Sequence, residues 1–260
     1  GIHHEKQHQE LLFTDIKYIL GNNPLLPHYS ETFEENLIEK QKSKWIKIPE
    51  GTYEIGHATN GFCFDNEKPR HKHYQYKASI RQSLVSNIEY SEFINSEGYN
   101  NPKYWLSKGW DWVKEQKVKA PEYWHLVDGE WKYYTLNGFV SVDKEKPVQH
   151  VSFYEAFAYA QWKKMRLPTE FEWEIASKQM NWGKRWEWTN SAYLPYPRFK
   201  KENGAVGEYN GKFMSNKMVL RGASVATSKN HSRSTYRNFF APSERWQYTG
   251  IRLVNKNDKN

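Results

Sequence analysis

Residues 147–174 (PVQHVSFYEAFAYAQWKKMRLPTEFEWE) contain the strongest folding signals in this sequence. They predict two helices, over residues 152–164 and 169–178. Ser152 and Thr169 are suited to cap these helices, because each has a glutamate three positions later. In such a capping box the hydroxyl oxygen and the glutamate carboxylate each accept a hydrogen bond from a backbone N–H. Both helix starts can therefore be predicted from local sequence.

On either side of this stretch the pattern changes. Residues 45–56 (WIKIPEGTYEIG) alternate apolar and polar residues around a glycine turn, which predicts strands. Residues 87–97 predict a short helix with Asn87 as its N-cap. Residues 98–146 carry five tryptophans and few periodic signals, and we interpret them as a long irregular region held by buried indoles. Loops and short strands are expected after Trp182, so the predicted fold class is α+β with much irregular structure.

The N-terminal part has a different residue pattern from the rest of the chain. Residues 3–20 predict one amphipathic helix, with Gly21 as the C′ residue that ends it. We therefore divide the chain into an N-terminal helix (1–21), a linker (22–44) and a larger domain (45–255).

The composition of the 260 residues excludes several classes of protein. Its 38 Lys and Arg against 30 Asp and Glu give a net charge of +8, but the charges alternate in sign, which is typical of a solvated surface. We expect no nucleic-acid partner. No apolar stretch approaches the ~20 residues that cross a bilayer, so we expect no membrane partner and a cytoplasmic location. The single cysteine, Cys63, excludes a disulfide scaffold and any mechanism that uses two protein thiols.

His4 and His8 are candidate metal ligands. Their spacing places both imidazoles on one helix face, about 6 Å apart at Cβ, where they can share a divalent metal. Surface histidines near a terminus, or the remnant of a purification tag, would show the same spacing. The line through both histidines continues through Leu12 and Ile16, a stripe predicted to be buried. A lone amphipathic helix cannot bury such a stripe unaided, so we expect further helices before it.

Several motifs together resemble a known family. Residues 4–18 (HEKQHQELLFTDIKY) resemble the HxxxHxE helix of the DinB-like domain in ergothioneine-biosynthesis sulfoxide synthases, the EgtB family. Residues 147–174 resemble the signature of the formylglycine-generating-enzyme or sulfatase-modifying-factor-like domain, which has a C-type-lectin-like core. The match continues through WEWT at 186–189, GEYNGKFMSN at 207–216, VLRGAS at 219–224 and RSTYRNFFAPSERWQYTGIRL at 233–253.

The resemblance implies a mononuclear non-haem iron(II) enzyme that uses O2. Such enzymes join the thiol sulfur of cysteine or γ-glutamylcysteine to the imidazole of hercynine (Nα-trimethylhistidine), giving a sulfoxide. His4 and His8 match two of the three iron-binding histidines. The third lies on an earlier helix that has no counterpart here, so we expect a chain truncated at its N-terminus and without activity on its own.

The resemblance also implies substrate-binding roles. Gln7, Tyr209 and Asn238 match residues of the hercynine pocket. Phe239 and Phe240 occupy positions where one branch of the family has Trp-Asp, a pair that helps to bind hercynine and γ-glutamylcysteine. Because both residues are apolar here, free cysteine is the more plausible sulfur donor.

The catalytic residues stay unassigned. Where that branch has a proton-donating tyrosine, this sequence has Val206, which cannot donate a proton. A true formylglycine-generating oxidase is disfavoured, because it uses a pair of cysteines with copper. A non-catalytic lectin-like binding module remains the alternative to the synthase.

Overall fold

The computed structural model describes residues 1–30, 44–58, 60–204, 207 and 210–256. Within these ranges the α-helices are α1 (Ile2–Gly21), α2 (Asn87–Asn95), α3 (Ser107–Gln116), α4 (Phe153–Trp162) and α5 (Glu170–Ala176). The strands are β1 (Trp45–Ile48), β2 (Gly51–Ile55), β3 (His71–Gln75), β4 (Ala78–Arg81), β5 (Trp124–Val127), β6 (Glu130–Thr135), β7 (Gly138–Ser141), β8 (Trp186–Ala192), β9 (Met218–Gly222), β10 (Asn238–Phe240) and β11 (Thr249–Gly250). Most of the predicted linker, residues 31–43, lies outside the described residues, so the division into domains stays a prediction.

The strands form small sheets separated by long loops. The largest sheet has the order β10-β9-β8-β11, in which β11 runs parallel to β8 and the other pairs are antiparallel. Antiparallel pairing also joins β1 to β4, β2 to β3, and β5, β6 and β7 into a three-stranded sheet. This mixture of helices, short sheets and irregular segments confirms the predicted α+β class.

The main hydrophobic core includes residues of α2, α4 and the largest sheet. Tyr90, Phe93, Tyr159, Trp188 and Leu220 are all fully buried in it. The rings of Tyr90 and Tyr159 stack with their centroids 5.3 Å apart, and Phe93 meets Tyr159 edge-on. Aromatic side chains thus fill the space between helices and sheet.

The two predicted capping boxes are confirmed. Ser152 Oγ accepts from the backbone N–H of Glu155 at 3.2 Å, and the Glu155 carboxylate accepts from the Ser152 N–H at 2.8 Å. Thr169 and Glu172 make the same reciprocal pair, at 3.1 and 2.8 Å. Both helices end two residues earlier than predicted.

The predicted N-cap of α2 was wrong by one residue. Ser86 occupies that position, and its backbone N–H donates to the Glu89 carboxylate at 2.9 Å. The side chain of Asn87 instead donates to the carbonyl of Asp143 at 2.7 Å. Serine at this position forms a complete capping box with Glu89, whereas Asn87 is used in a tertiary contact.

The interpretation of residues 98–146 as irregular was wrong in part. This segment contains α3 and the three-stranded sheet of β5, β6 and β7. Trp105 and Trp124 are buried, but the other three tryptophans are only half-buried. Asp128 and Gly129 both have positive φ, 52° and 80°, and connect β5 to β6. A two-residue Asp-Gly connection is a strong hairpin signal.

Gly21 is the last residue of α1 rather than the C′ residue. A Cβ at this position would lie 2.8 Å from Tyr123 Cδ1 and 2.9 Å from Tyr134 Cδ1. Glycine is therefore required by the close approach of two tyrosine rings, which holds the end of α1 against the domain.

The burial of α1 is the reverse of the prediction. Thr14 and Lys17 are buried, whereas Leu12 is 59% and Ile19 is 67% exposed. Thr14 Oγ1 donates to the Leu11 carbonyl of its own helix, and Lys17 reaches His150 of the domain. Of the stripe predicted to be buried, Leu12 and Ile19 face outward, whereas Ile16 and Leu20 are half-buried. Neither α1 nor any other helix in the described ranges combines the length and apolar character that crossing a bilayer requires.

Candidate functional site

A cavity of about 280 Å³ lies between α1 and the domain. Helix α1 contributes His4, Gln7 and His8 to its lining, and β10 contributes Asn238–Phe240. The structure therefore brings together all the predicted site residues except Tyr209, which lies outside the described residues. Their roles remain predictions, but their common location follows from the docking of α1.

The two histidines of α1 are in direct contact. His4 Nε2 and His8 Nε2 lie 3.0 Å apart, and their rings are nearly perpendicular, at 86°. Two ligand atoms that bind one metal at ~2.1 Å and at right angles to each other are also separated by about 3.0 Å. The pair therefore has a suitable spacing for neighbouring positions around a metal ion. With no metal, one ring nitrogen donates a hydrogen bond to the other.

The described residues contain no group of three or more His, Cys, Asp or Glu side chains placed to hold a metal ion. His4 and His8 thus supply a two-residue donor set. Cys63 is buried, and burial followed by the nearby Glu67 carboxylate raises the pKa of its thiol. A thiol in that state is a poor nucleophile.

Gln7 is oriented by a buried tyrosine. Gln7 Nε2 donates to Tyr236 Oη at 2.8 Å, and the same hydroxyl lies 3.3 Å from His231 Nε2. Burial raises the pKa of Tyr236. Burial, with additional effects from His3 and Arg233, lowers the pKa of His231 to about 4. Both rings are therefore neutral near pH 7, and Tyr236 holds the Gln7 amide at the cavity.

Glu10 fastens α1 to the domain. Its carboxylate accepts hydrogen bonds from Trp186 Nε1 at 2.7 Å, Ser224 Oγ at 2.6 Å and Thr227 Oγ1 at 2.8 Å. Burial raises the pKa of Glu10, although the three donors act in the opposite direction. These bonds fix the rotation of α1 and with it the position of both histidines.

Lys17 is a second attachment point. It is fully buried, with Nζ 3.0 Å from His150 Nε2 and 4.7 Å from the centre of the Tyr248 ring. Burial and the positive charge of Lys17 lower the pKa of His150 well below its usual value, so His150 can accept from the ammonium group.

Sequence reasoning missed these anchors. Gln7, Glu10, Thr14, Lys17 and Gly21 recur at helical spacing, and this polar stripe was the signal that could have found them. A polar stripe usually indicates a solvated face, so the apolar stripe was preferred.

Aromatic rings form the wall opposite α1. Phe239 stacks on Tyr193, with ring centres 4.2 Å apart and planes 12° from parallel, and it contacts Phe213 at 5.5 Å. Asn238 Oδ1 accepts from the backbone N–H of Phe239 at 2.9 Å, which fixes the Asn238 side chain. Phe240 also lines the cavity. This wall is apolar and rigid, with one oriented amide at its edge.

Comparison with known proteins agrees with the predicted resemblance and fold. Residues 30–185 match the model of the sulfatase-modifying factor enzyme 1-like domain family. The hercynine oxygenase of Mycolicibacterium smegmatis is 29% identical, over 80% of this chain and 60% of that protein. The hercynine oxygenase of Mycobacterium tuberculosis is 28% identical, over 97% of this chain and 70% of that protein.

The chain thus spans about 60% of the length of the M. smegmatis relative. The solved structure of PvdO from Pseudomonas aeruginosa superposes with a TM-score of 0.51 at 15% identity, over 81% of this chain and 93% of that one, which shows a shared fold. The predicted resemblance and fold are confirmed, and the chain belongs to the sulfatase-modifying factor enzyme 1-like domain family.

Proposed function

We propose that this chain is part of a cytoplasmic, non-haem iron(II)- and O2-dependent sulfoxide synthase of ergothioneine biosynthesis. Its substrates would be hercynine and a cysteine-type thiol. The observation that carries the proposal is the convergence of His4, Gln7 and His8 with strand β10 on one cavity. The hercynine oxygenases among its relatives support hercynine as the substrate.

His4 and His8 would hold the iron. Imidazole nitrogens suit non-haem iron(II), and the separation of 3.0 Å between the two Nε2 atoms matches adjacent ligand positions. When bound, the iron supplies the redox chemistry for O2-dependent oxidation and leaves positions open for O2 and thiolate. The two histidines account for two of the three that the family resemblance implies.

Gln7 and Asn238 would orient hercynine. Because Gln7 Nε2 donates to Tyr236, its carbonyl oxygen can accept a hydrogen bond from an imidazole N–H. Because Asn238 Oδ1 accepts from the Phe239 amide, its NH2 group can donate to a carboxylate. The Gln7 carbonyl thus suits the imidazole end of hercynine, and the Asn238 NH2 group suits its carboxylate end.

Phe239 and Phe240 favour cysteine as the sulfur donor. Both present apolar rings to the cavity, so neither can hydrogen-bond or ion-pair with the carboxylates of γ-glutamylcysteine. Free cysteine places less polar surface against this wall and leaves fewer groups without partners. The rings also exclude water from one side of the cavity.

Anaerobic titration of the full-length gene product with iron(II) tests the proposal. Addition of hercynine, cysteine and O2 should then give the sulfoxide, with one sulfur–carbon bond formed and the second oxygen atom leaving as water. The replacement His8→Ala should abolish iron binding and product. The exposed His125 provides the matched control, His125→Ala. Wild-type protein that binds no iron and makes no product would refute the synthase.

A non-catalytic binding module is the second candidate. It is favoured by the lack of a third metal-binding side chain near His4 and His8 in the described residues. A module of this kind would bind hercynine without iron, and His8→Ala would leave that binding unchanged. Equilibrium binding of hercynine in the presence of a chelator separates the two functions.

A further inference from the structure

Among the described residues, the buried carboxylate of Asp65 beside the cavity takes part in no ion pair. Asp65 is 1% exposed, and its Oδ1 accepts a hydrogen bond from Asn210 Nδ2 at 2.6 Å. Its other oxygen, Oδ2, has no hydrogen-bond partner in the part of the chain that the structure describes. Asn210 itself lines the cavity, so a single side chain connects the carboxylate to the cavity surface.

The neighbouring residue adds a second unpaired oxygen. Asn66 lines the cavity, and no described residue is a hydrogen-bond partner of its Oδ1 either. Its Nδ2 donates to the carbonyl of Arg237 at 3.1 Å and to the Tyr193 hydroxyl at 2.9 Å. A carbonyl can only accept, so this amide cannot be turned around to remove the unpaired oxygen. Asp65 and Asn66 together therefore create a negative potential beside the cavity.

The arginines that contact Asn66 and Glu67, the two residues after Asp65, are already paired. Arg237 pairs with Glu170 at 2.7 and 2.9 Å, and Arg233 pairs with Glu67 at 2.8 Å. In the described part of the chain, no ion pair includes Asp65. An ionised carboxylate without a partner is costly to bury. A positively charged ligand group in the cavity would offset that cost.

The geometry favours one kind of cation. The unpaired oxygens of Asp65 and Asn66 each expose less than 1 Å², so a ligand N–H cannot reach them. The cavity lining around these residues includes Phe213, whose N–H donates to the Asn210 carbonyl at 3.1 Å, and Phe239, which stacks on the Tyr193 ring that contacts Asn66. The faces of aromatic rings attract cations. A quaternary ammonium group has no N–H to donate and therefore loses no hydrogen bond against such a wall. It would experience the charge of Asp65 through the wall.

We propose that Asp65 is a specificity-determining residue that gives the cavity its preference for a quaternary ammonium group. Asn210 holds the carboxylate in place, and the aromatic wall separates it from the ligand. The identification of that ligand with the trimethylammonium group of hercynine rests on the proposed function. The preference for the charge rests mainly on Asp65, does not depend on the proposed function and can be measured without turnover.

The test compares choline with 3,3-dimethylbutanol, which have the same shape but carry a charged nitrogen or a neutral carbon. Wild-type protein should bind choline at least about tenfold more tightly, a difference of about 1.4 kcal/mol. Asp65→Asn should reduce that preference to less than about threefold, the part that cation–π contact with the rings supplies. The control Asp111→Asn removes a carboxylate from the exposed surface of α3 and should keep the wild-type preference.

Asp65→Ser provides a second neutral variant if Asp65→Asn folds poorly. A choline preference that persists in the neutral variant, or is absent from the wild type, would overturn the inference. Turnover of hercynine is measured separately. If the wild type shows the Asp65-dependent preference but no turnover, only the proposed synthase function is refuted. If it shows turnover without that preference, only the role of Asp65 is refuted.

Discussion

Acidification from pH 7 to pH 5 should destabilise the folded chain through His231. Burial is the main cause that lowers the pKa of this residue to about 4, whereas an unfolded histidine has a pKa near 6.5. The folded state therefore binds fewer protons than the unfolded state in this interval. The stabilising contribution of neutral His231 is complete above pH 6.5 and is lost as the pH falls toward 4.

The size of the effect follows from the two pKa values. Between pH 7 and pH 5 the loss amounts to about 2 kcal/mol for this group. His231 is 1% exposed, so solvent screening does not reduce the effect substantially. His150 acts in the same direction, because burial and Lys17 lower its pKa. The raised pKa of Glu10 acts in the opposite direction, so the part that is due to His231 is obtained by comparison with a variant that lacks this residue.

Urea unfolding at pH 7 and pH 5, followed by tryptophan fluorescence, measures this change. The variant His231→Gln removes the titrating group but keeps a polar side chain near Tyr236. Its loss of unfolding free energy between the two pH values should be about 2 kcal/mol smaller than that of the wild type. The exposed His125 serves as control, and His125→Gln should retain the wild-type pH dependence. An unchanged pH dependence in His231→Gln would refute the reasoning.

Three further predictions concern the anchor, the core and the cavity wall. Glu10→Ala leaves the Trp186 indole N–H without its acceptor, so urea unfolding should show a loss of about 1–3 kcal/mol; a loss below about 0.5 kcal/mol would contradict the anchoring role. Arg252→Ala leaves the fully buried Glu187 carboxylate unpaired and should cost about 3–5 kcal/mol in the same assay, whereas a change near zero would show that the charge is solvated. Phe240→Asp should shift the ratio of kcat/KM for γ-glutamylcysteine and cysteine toward γ-glutamylcysteine, and an unchanged ratio would show that this position does not select the sulfur donor.

Features defined by neighbouring residues could be predicted from the sequence. The capping boxes of α4 and α5 join residues three positions apart, so both helix starts were correct. The Asp128-Gly129 turn was equally local, and the hairpin it forms was missed only because the surrounding tryptophans obscured the strand pattern. Short-range hydrogen bonds and turn conformations leave recognisable patterns in one segment.

The orientation of α1 could not be predicted in the same way. Its buried face is polar because Glu10 meets Trp186, which is 176 residues away in the sequence. No pattern within one helix reveals such a partner. The histidine pair was found from spacing and the residues of β10 from family resemblance, whereas Asp65 had no sequence signal. Asp65 stands out because its Oδ2 finds no hydrogen-bond partner among the described residues, and only a three-dimensional structure can reveal this.

The polar contact face of α1 limits how this helix can move against the domain on the other side of the cavity. Hydrophobic surfaces tolerate sliding, because contact area changes little with small shifts. Hydrogen bonds to Glu10 and Lys17 are directional, and moving the helix by one turn, about 5.4 Å, would break all of them. The helix can therefore dock in one register only. The outward-facing residues of α1 can therefore be replaced without altering the distance from the histidine pair to strand β10.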